Sequence, residues 1–325
     1  FGKLKVEWGF FTHTGIRHKQ LEDFSVQTDQ DEYTKQLQPI ADDSLKTLED
    51  DALAPHFLQV QFHSLLGGVS WTAVTRPDIL VYCGYLQRNV KAPTTKHVKD
   101  LNRLVRWMKR RNCPLVFFRK VPTPFRIGLI ADSAFKAQEP ECLALRALIV
   151  ALMTDYGIPG GHIGIIEFYS RKLQLVVVVR STFGAEGRNL DDSVSMGLFL
   201  QPLLCEVFFG TMSSSKINQL SETGKLPIPC EPFVDSRSVF DAITAEEVKP
   251  PSEKHLHYVI KSPRDRLDTG QLRRRHWVDT RDMLCDALTK GSIRRDAILN
   301  AWRTAVWEVK HESYSWSRTA RRPIC

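Results

Sequence analysis

The chain has 325 residues, 42% of them apolar, 10% aromatic and 25% charged, which excludes disorder throughout and favours two domains over one small module. Its longest unbroken apolar run, residues 147–153, is far short of the roughly 18 residues that mark a membrane helix, and no basic-then-apolar leader opens it; an intracellular protein, cytoplasmic or nuclear and without a membrane partner, is expected. Net charge is +8, unevenly laid: residues 1–56 carry 6 basic and 11 acidic groups and residues 57–126 carry 13 and 2, and so one-sided a segment repels itself unless a polyanion lies against it.

Starting at Phe1 in an apolar-basic stretch, the chain reads as an excerpt from something longer. Seven cysteines form no Cys-x-x-Cys pair, so reduced core thiols are expected rather than a zinc ribbon or a disulfide scaffold. Alternation over 4–8 and 10–16 predicts short strands, which run into an acidic loop at 42–51. From 57 to 111 the pattern is helical. One helix follows Thr75-Arg76-Pro77-Asp78, with proline in its first turn. Another follows Pro93-Thr94-Thr95, where a threonine can cap the first free amides. In that second helix, 96–111, Val98, Leu101, Leu104, Val105 and Met108 form one apolar stripe. After Lys96, a separate face carries Lys99, Arg103, Arg106 and Arg110 over about 16 Å, with almost no acid interspersed, so a nucleic-acid backbone is the expected counter-charge. Cys113-Pro114 stops the helix, and 114–124, with prolines at 114, 122 and 124, is the expected linker.

Beyond it, apolar runs at 126–130, 145–153, 163–169 and 173–179 predict four successive strands, the second equally readable as a buried helix. Gly157, Gly160 and Gly161 mark a turn around Pro159. A long helix is expected over 183–208, bent or ended by Pro202, then a strand at 231–234 and a short helix at 239–243. A helix at 253–267 disturbed by Pro263, a strand at 272–278 and a helix at 280–299 complete the pattern. This order describes an α/β (α+β) protein, a mixed sheet with helices against it.

Four acids stand where strands end or in the helices that follow: Asp132, Glu186, Asp235 and Asp286. Carboxylates gathered from separate elements repel one another unless divalent cations lie between them. Mg²⁺ suits such a site, and two ions about 3.5–4 Å apart form the two-metal nuclease template. Asp279 and Asp282 compete for the fourth place. His255 and His257, two apart on a helix, face different ways and make a poor ligand pair. Arg273, Arg274 and Arg275 alternate faces on a strand, so one of them, Arg274 among the candidates, either touches substrate phosphate or guards an exposed edge. No Gly-x-Ser-x-Gly elbow supports a serine hydrolase.

Five blocks fall in a telling order: Ile130-Ala131-Asp132-Ser133-Ala134-Phe135; Arg180-Ser181-Thr182-Phe183-Gly184-Ala185-Glu186; Phe233-Val234-Asp235-Ser236-Arg237-Ser238; Glu253-Lys254-His255-Leu256-His257; and Trp277-Val278-Asp279-Thr280 with Leu284-Cys285-Asp286-Ala287-Leu288-Thr289-Lys290. Together they resemble the ribonuclease H domain of copia-type retrotransposon Pol polyproteins. Upstream, Phe62-His63-Ser64-Leu65-Leu66-Gly67-Gly68, Thr75-Arg76-Pro77-Asp78-Ile79 and the 96–111 helix resemble the segment joining reverse transcriptase to that domain, so the likeness covers about residues 10–295. It implies a ribonuclease H-like domain at 121–300, preceded by a mostly helical thumb- or connection-like end of reverse transcriptase at 1–120 and followed by a tail at 301–325. The implied activity is endonucleolytic hydrolysis of the RNA strand of an RNA-DNA hybrid. The implied metal ligands are Asp132, Glu186, Asp235 and Asp286, holding two Mg²⁺ ions with Mn²⁺ as substitute, and the rest of the parent polyprotein is a further partner. The chain departs from the family at Gly187 and Arg188 after Glu186, at His257 where the family has aspartate, and at Pro263; a glycine costs about 1 kcal/mol inside a helix. No Tyr-x-Asp-Asp turn occurs, so no polymerase activity is expected. Two function classes follow: a metal-dependent nuclease, or a silent remnant that binds nucleic acid.

Overall fold

Thr14 and Gly15 take positive φ values of 48° and 78°, the geometry of a tight hairpin turn, and join β1 (Phe10–His13) to β2 (Ile16–Gln20). β3 (Val26–Asp29) pairs antiparallel with β2. The computed structural model describes residues 6–111, 115–117, 121–135, 144–172, 181–247, 251 and 254–317. Within these the chain divides into two compact units, 1–120 with 302–304 and 121–301 with 305–325.

In the first unit two short helices, α1 (Asp31–Gln36) and α2 (Ser44–Thr47), lead to α3 (His56–Thr72). Pro77–Ile79 forms a 3₁₀ turn that starts α4 (Leu80–Arg88). Arg76 and Asp78 are buried there, with Nε and Nη2 each 2.9 Å from the carboxylate. Arg76 Nη1 also donates to the Arg111 carbonyl at 2.7 Å, which fastens the start of α4 to the end of α5 (Thr95–Arg110). Thr94 caps α5, and His97 takes the place of the usual glutamate in the capping box, its Nδ1 accepting the Thr94 amide at 2.9 Å. Burial, then the neighbouring Lys96, lower the His97 pKa, which favours the neutral ring an acceptor needs. The apolar stripe Val98, Leu101, Leu104, Val105 and Met108 is buried with Leu58, Phe62 and Leu66 of α3. Within the stretch expected to be a linker, Leu115–Phe117 form β4 and complete the sheet β1-β2-β3-β4; three apolar residues with strand propensity found an open edge on β3.

The second unit is a mixed sheet of order β10-β7-β6-β5-β8-β9-β11. Its first three strands form an antiparallel meander, β5 (Phe125–Phe135), β6 (Ala144–Thr154) and β7 (Gly161–Lys172). The run at 145–153, open between strand and helix in the sequence, is thus a strand, and 173–179 lies outside the described residues. α6 (Thr182–Phe209) crosses to β8 (Cys230–Val234), which pairs parallel with β5. α7 (Ser214–Glu222) lies between them in sequence. α8 (Arg237–Thr244) and α9 (His257–Thr269) precede β9 (Arg275–Val278), parallel to β8. The expected helix at 280–299 is instead a 3₁₀ turn at Thr280–Asp282 and two helices, α10 (Asp286–Thr289) and α11 (Asp296–Thr304). Gly291 separates the two helices, a residue that weakens helix interiors. Residues read as a tail supply both edge strands: β10 (Val306–Trp307) pairs with β7 and β11 (Ser313–Trp316) with β9.

Strand alternation sends Leu129 and Ala131 into the core beneath Leu190 and Val194 of α6 and turns Ile130 and Asp132 to the other face, where α10 packs. α6 continues past Pro202 and α9 past Pro263. Each proline removes one backbone donor without ending its helix, because packing holds both flanks. α6 is also long and apolar enough to cross a membrane by length and composition, a property the short runs of the sequence concealed. One side of it is core: Gly197 sits so close to the sheet that a Cβ there would lie 2.6 Å from Leu129 and 2.8 Å from Cys230 Sγ. Four cysteines, Cys83, Cys205, Cys230 and Cys285, are buried free thiols; Cys113, Cys142 and Cys325 lie outside the described residues.

Candidate metal centre

Asp132 lies near the C-terminal end of β5 and is 0% exposed. The parallel register pairs Ile130 with Phe233, so Asp235, just past the end of β8, falls level with Asp132 on the neighbouring strand. Glu186 comes from α6, whose start is set by Ser181 Oγ accepting the Gly184 amide at 3.2 Å. One turn later Asn189 Nδ2 donates to the carbonyls of Asp132 (2.7 Å) and Ala147 (3.0 Å). Residues three apart share a helix face, so this clamp holds Glu186 against β5. Gly187 does not displace the carboxylate. It admits α9 instead, since a Cβ there would meet Val259 Cγ2 at 3.0 Å. Arg188 lies over the Tyr258 ring at 5.4 Å.

Asp132, Glu186 and Asp235 each offer an oxygen, and these lie within 4.8 Å of one another. Asp286, the first residue of α10 and also buried, is not in that group, though it feels the charges of Asp132 and Asp235. Burial and mutual repulsion set the protonation. Glu186 is raised well above the usual range by burial, then by Asp132 and Asp235. Asp235 is pushed up to about 6 by burial and Asp132, and Asp286 to about 7 by the same causes. Thr280 Oγ1 donates to Asp235 at 2.9 Å, and Thr289 Oγ1 donates to Asp132 Oδ2.

Lys290, not singled out in the sequence, belongs to this cluster. Its ammonium bonds Asp286 and lies 3.7 Å from Asp132 Oδ1. Burial would lower its pKa, but Asp132, Asp286 and Asp235 outweigh that and hold it at about 12. The spacing from Asp286, four residues on one helix side, was the available signal.

The rivals are accounted for elsewhere. Asp279 caps the 3₁₀ turn and pairs with Arg281 at 2.8 Å. Asp282 is buried and accepts the Lys310 and His311 amides at 3.0 and 2.7 Å, pinning the chain between β10 and β11. His257 is exposed, and the His255 side chain is outside the description.

Of the basic residues, Lys96 and Arg103 both pair with Asp100, at 3.1 and 2.7 Å, and Lys99 pairs with Asp50 at 2.7 Å. The stripe is therefore partly neutralised from within, contrary to its acid-poor appearance, because Asp100 lies one turn from either cation. Arg106 and Arg110 are exposed and have no ion pair among the described residues. Arg274 bonds Asp155 at 3.1 Å in a network with Glu231, Arg126, Arg273 and His276. That network surrounds Arg126, six residues or about 20 Å before Asp132 along β5.

No family model matches the chain. It is similar to the retrovirus-related Pol polyprotein from transposon RE1 of Arabidopsis thaliana, 25% identical over 230 residues, which is 71% of this chain and 14% of that protein. It is also similar to the corresponding protein from transposon RE2 of the same plant, 25% identical over 252 residues, 78% of this chain and 15% of that protein. The chain is thus a relative of retrotransposon Pol polyproteins, of which it matches a fragment about one seventh as long as the whole.

Proposed function

We propose that the second unit is a ribonuclease H-like nuclease that cuts the RNA strand of an RNA-DNA hybrid, and that the first is the end of a reverse transcriptase whose helix α5 holds nucleic-acid backbone. One observation carries the reading: carboxylates from β5, from α6 and from the end of β8 meet within 4.8 Å, although mutual repulsion and burial both oppose gathering such charges. The order of the acidic blocks and the similarity to Pol polyproteins support it.

The site fits a hard divalent cation. All its donors are oxygens, which suits Mg²⁺ or Mn²⁺, and Asp132 Oδ1 is buried with no hydrogen-bond donor among the described residues. Asp132, Glu186 and Asp235 would hold one ion, and Asp286 would join Asp132 in holding a second. When bound, such a pair supplies an ionised water and stabilises the leaving oxygen of the phosphodiester. The chain's own groups prepare this. Thr289 and Thr280 orient Asp132 and Asp235, and the Asn189 clamp fixes Glu186. Lys290 sets a positive charge beside Asp132 and Asp286 and offsets part of their repulsion.

Labelled RNA-DNA hybrid incubated with the full chain and Mg²⁺ should be cut in its RNA strand, and Asp132→Asn should slow this by about 100-fold or more. Equal rates for the two proteins, or no cutting by the wild type, would overturn the nuclease reading. Hybrid binding without cutting would leave the silent remnant.

A further inference from the structure

Between α4 and α5 in the first unit lies a cavity of about 370 Å³ whose lining includes Tyr82, Tyr85, Trp107, Lys96, Arg103 and Asp100. We infer that this cavity receives one unstacked nucleobase of a single strand, with its phosphate on Lys96 and Arg103. The inference rests on the proposed nucleic-acid binding and names a site within it.

Three aromatic side chains line it, Tyr82 and Tyr85 from α4 and Trp107 from α5, offering flat, apolar faces of the kind on which bases stack whatever their identity. The volume lies within the roughly 300–1,000 Å³ of small-ligand pockets, too confined for a helix or a duplex. Both cations are exposed and line the cavity. They share the single charge of Asp100, so the group keeps a net positive charge to offer a phosphate. Lys96 Nζ is also held 5.7 Å over the Tyr85 ring, which joins the cationic and aromatic parts of the lining. Trp107 is braced by the guanidinium groups of Arg76 and Arg111, 5.4 and 5.6 Å from its ring centre, so the indole is ordered before any ligand arrives. Arg106, exposed, without an ion pair among the described residues and next to Trp107 in sequence, extends the positive surface along the same helix. A base paired within a duplex cannot enter, so the ligand is a single-stranded stretch or a frayed end.

The test compares a short fluorescein-labelled single-stranded DNA with an oligonucleotide of equal length and charge made of abasic units. Fluorescence anisotropy is read on the full chain in EDTA, where no metal-dependent cleavage occurs. The base-bearing strand should bind about ten-fold tighter, and Tyr85→Ala should bring the ratio of the two affinities close to one, with a far-ultraviolet circular dichroism spectrum matching the wild type showing that the variant is folded. In the wild type, a 4-thiothymidine-substituted strand should photocrosslink to peptides of α4 or α5 around Tyr85 and Trp107. Equal affinity for the two oligonucleotides, or crosslinks confined to other segments, would overturn the pocket while leaving backbone binding in place. Failure of both strands to bind would overturn the pocket and the nucleic-acid reading together.

Discussion

Protons act with opposite sign on Asp235 and Glu231, the acids at the two ends of β8. Asp235 is raised from the usual carboxylate value to about 6, so the folded chain holds this proton over a range in which the unfolded chain has released it. Its contribution to stability therefore falls as pH rises from about 4 to 6. In EDTA, Asp235→Asn should be more stable than wild type by about 2–3 kcal/mol at pH 8 and by little at pH 4, measured by urea denaturation. Mg²⁺ should close that gap by stabilising the wild type more. A difference that is the same at both pH values would contradict the repulsion assigned to the cluster. At Glu231, burial would raise the pKa, but His276, Arg126 and Arg273 outweigh it and hold it at about 2. That stability is complete above about 4.5 and disappears as pH falls towards 2. Glu231→Gln should cost about 3 kcal/mol at pH 7 and progressively less in acid; a loss that did not shrink in acid would show that the network stabilises through packing instead of charge.

At the scale of elements, α6 decides whether the site exists, because it must bring Glu186 to a strand that its own sequence does not specify. Two small residues set its approach: Gly187 towards α9 and Gly197 towards the sheet. Alanine usually improves a helix by about 1 kcal/mol over glycine. At Gly197, however, the added carbon would overlap Leu129 and Cys230. Gly197→Ala should therefore destabilise the chain by about 1–3 kcal/mol, seen as a lower urea midpoint with unchanged slope. A gain in stability would mean that α6 has room to move outward, and would remove the close packing as the reason Glu186 is so well placed. The proline in each of α6 and α9 makes a similar point: local propensity argued for a break, and burial on both flanks overrode it.

For the whole molecule, the excess of cations at 57–126 is the largest electrostatic feature. Their pairing decides which of them can answer a polyanion. Arg106 and Arg110 have no ion pair among the described residues and Lys99 is matched by Asp50, whereas Lys96 and Arg103 share Asp100 and keep one net positive charge between them. Replacing Arg106 or Arg110 by alanine should weaken hybrid binding and lower the slope of log affinity against log salt by about one each. Lys99→Ala, which also frees Asp50, should change the slope less. If all of these variants behave alike, the ion pairs seen in the free chain are exchanged for phosphate contacts at no cost.

Periodicity and composition carried the local facts. The apolar stripe and cap of α5, the existence of most strands of the second unit and the long helix α6 were all legible, because each depends on residues a few positions apart; Asp132, Glu186 and Asp235 were singled out by the short blocks that carry the family resemblance, and the structure brings their carboxylates near one another. The edge strands β10 and β11 were not, since two to four residues form a strand only when a neighbour offers unpaired backbone groups. The strand at 145–153 could be told from a buried helix only by its pairing with β5 and β7. Nor could order along the chain reveal that Lys290 would sit among the acids, that Asp100 would quench two of the basic residues, or that Asp286 would stand apart from the three closest carboxylates. Those outcomes depend on distances between side chains far apart in sequence, and such distances are set by how helices and strands pack, which no local pattern encodes.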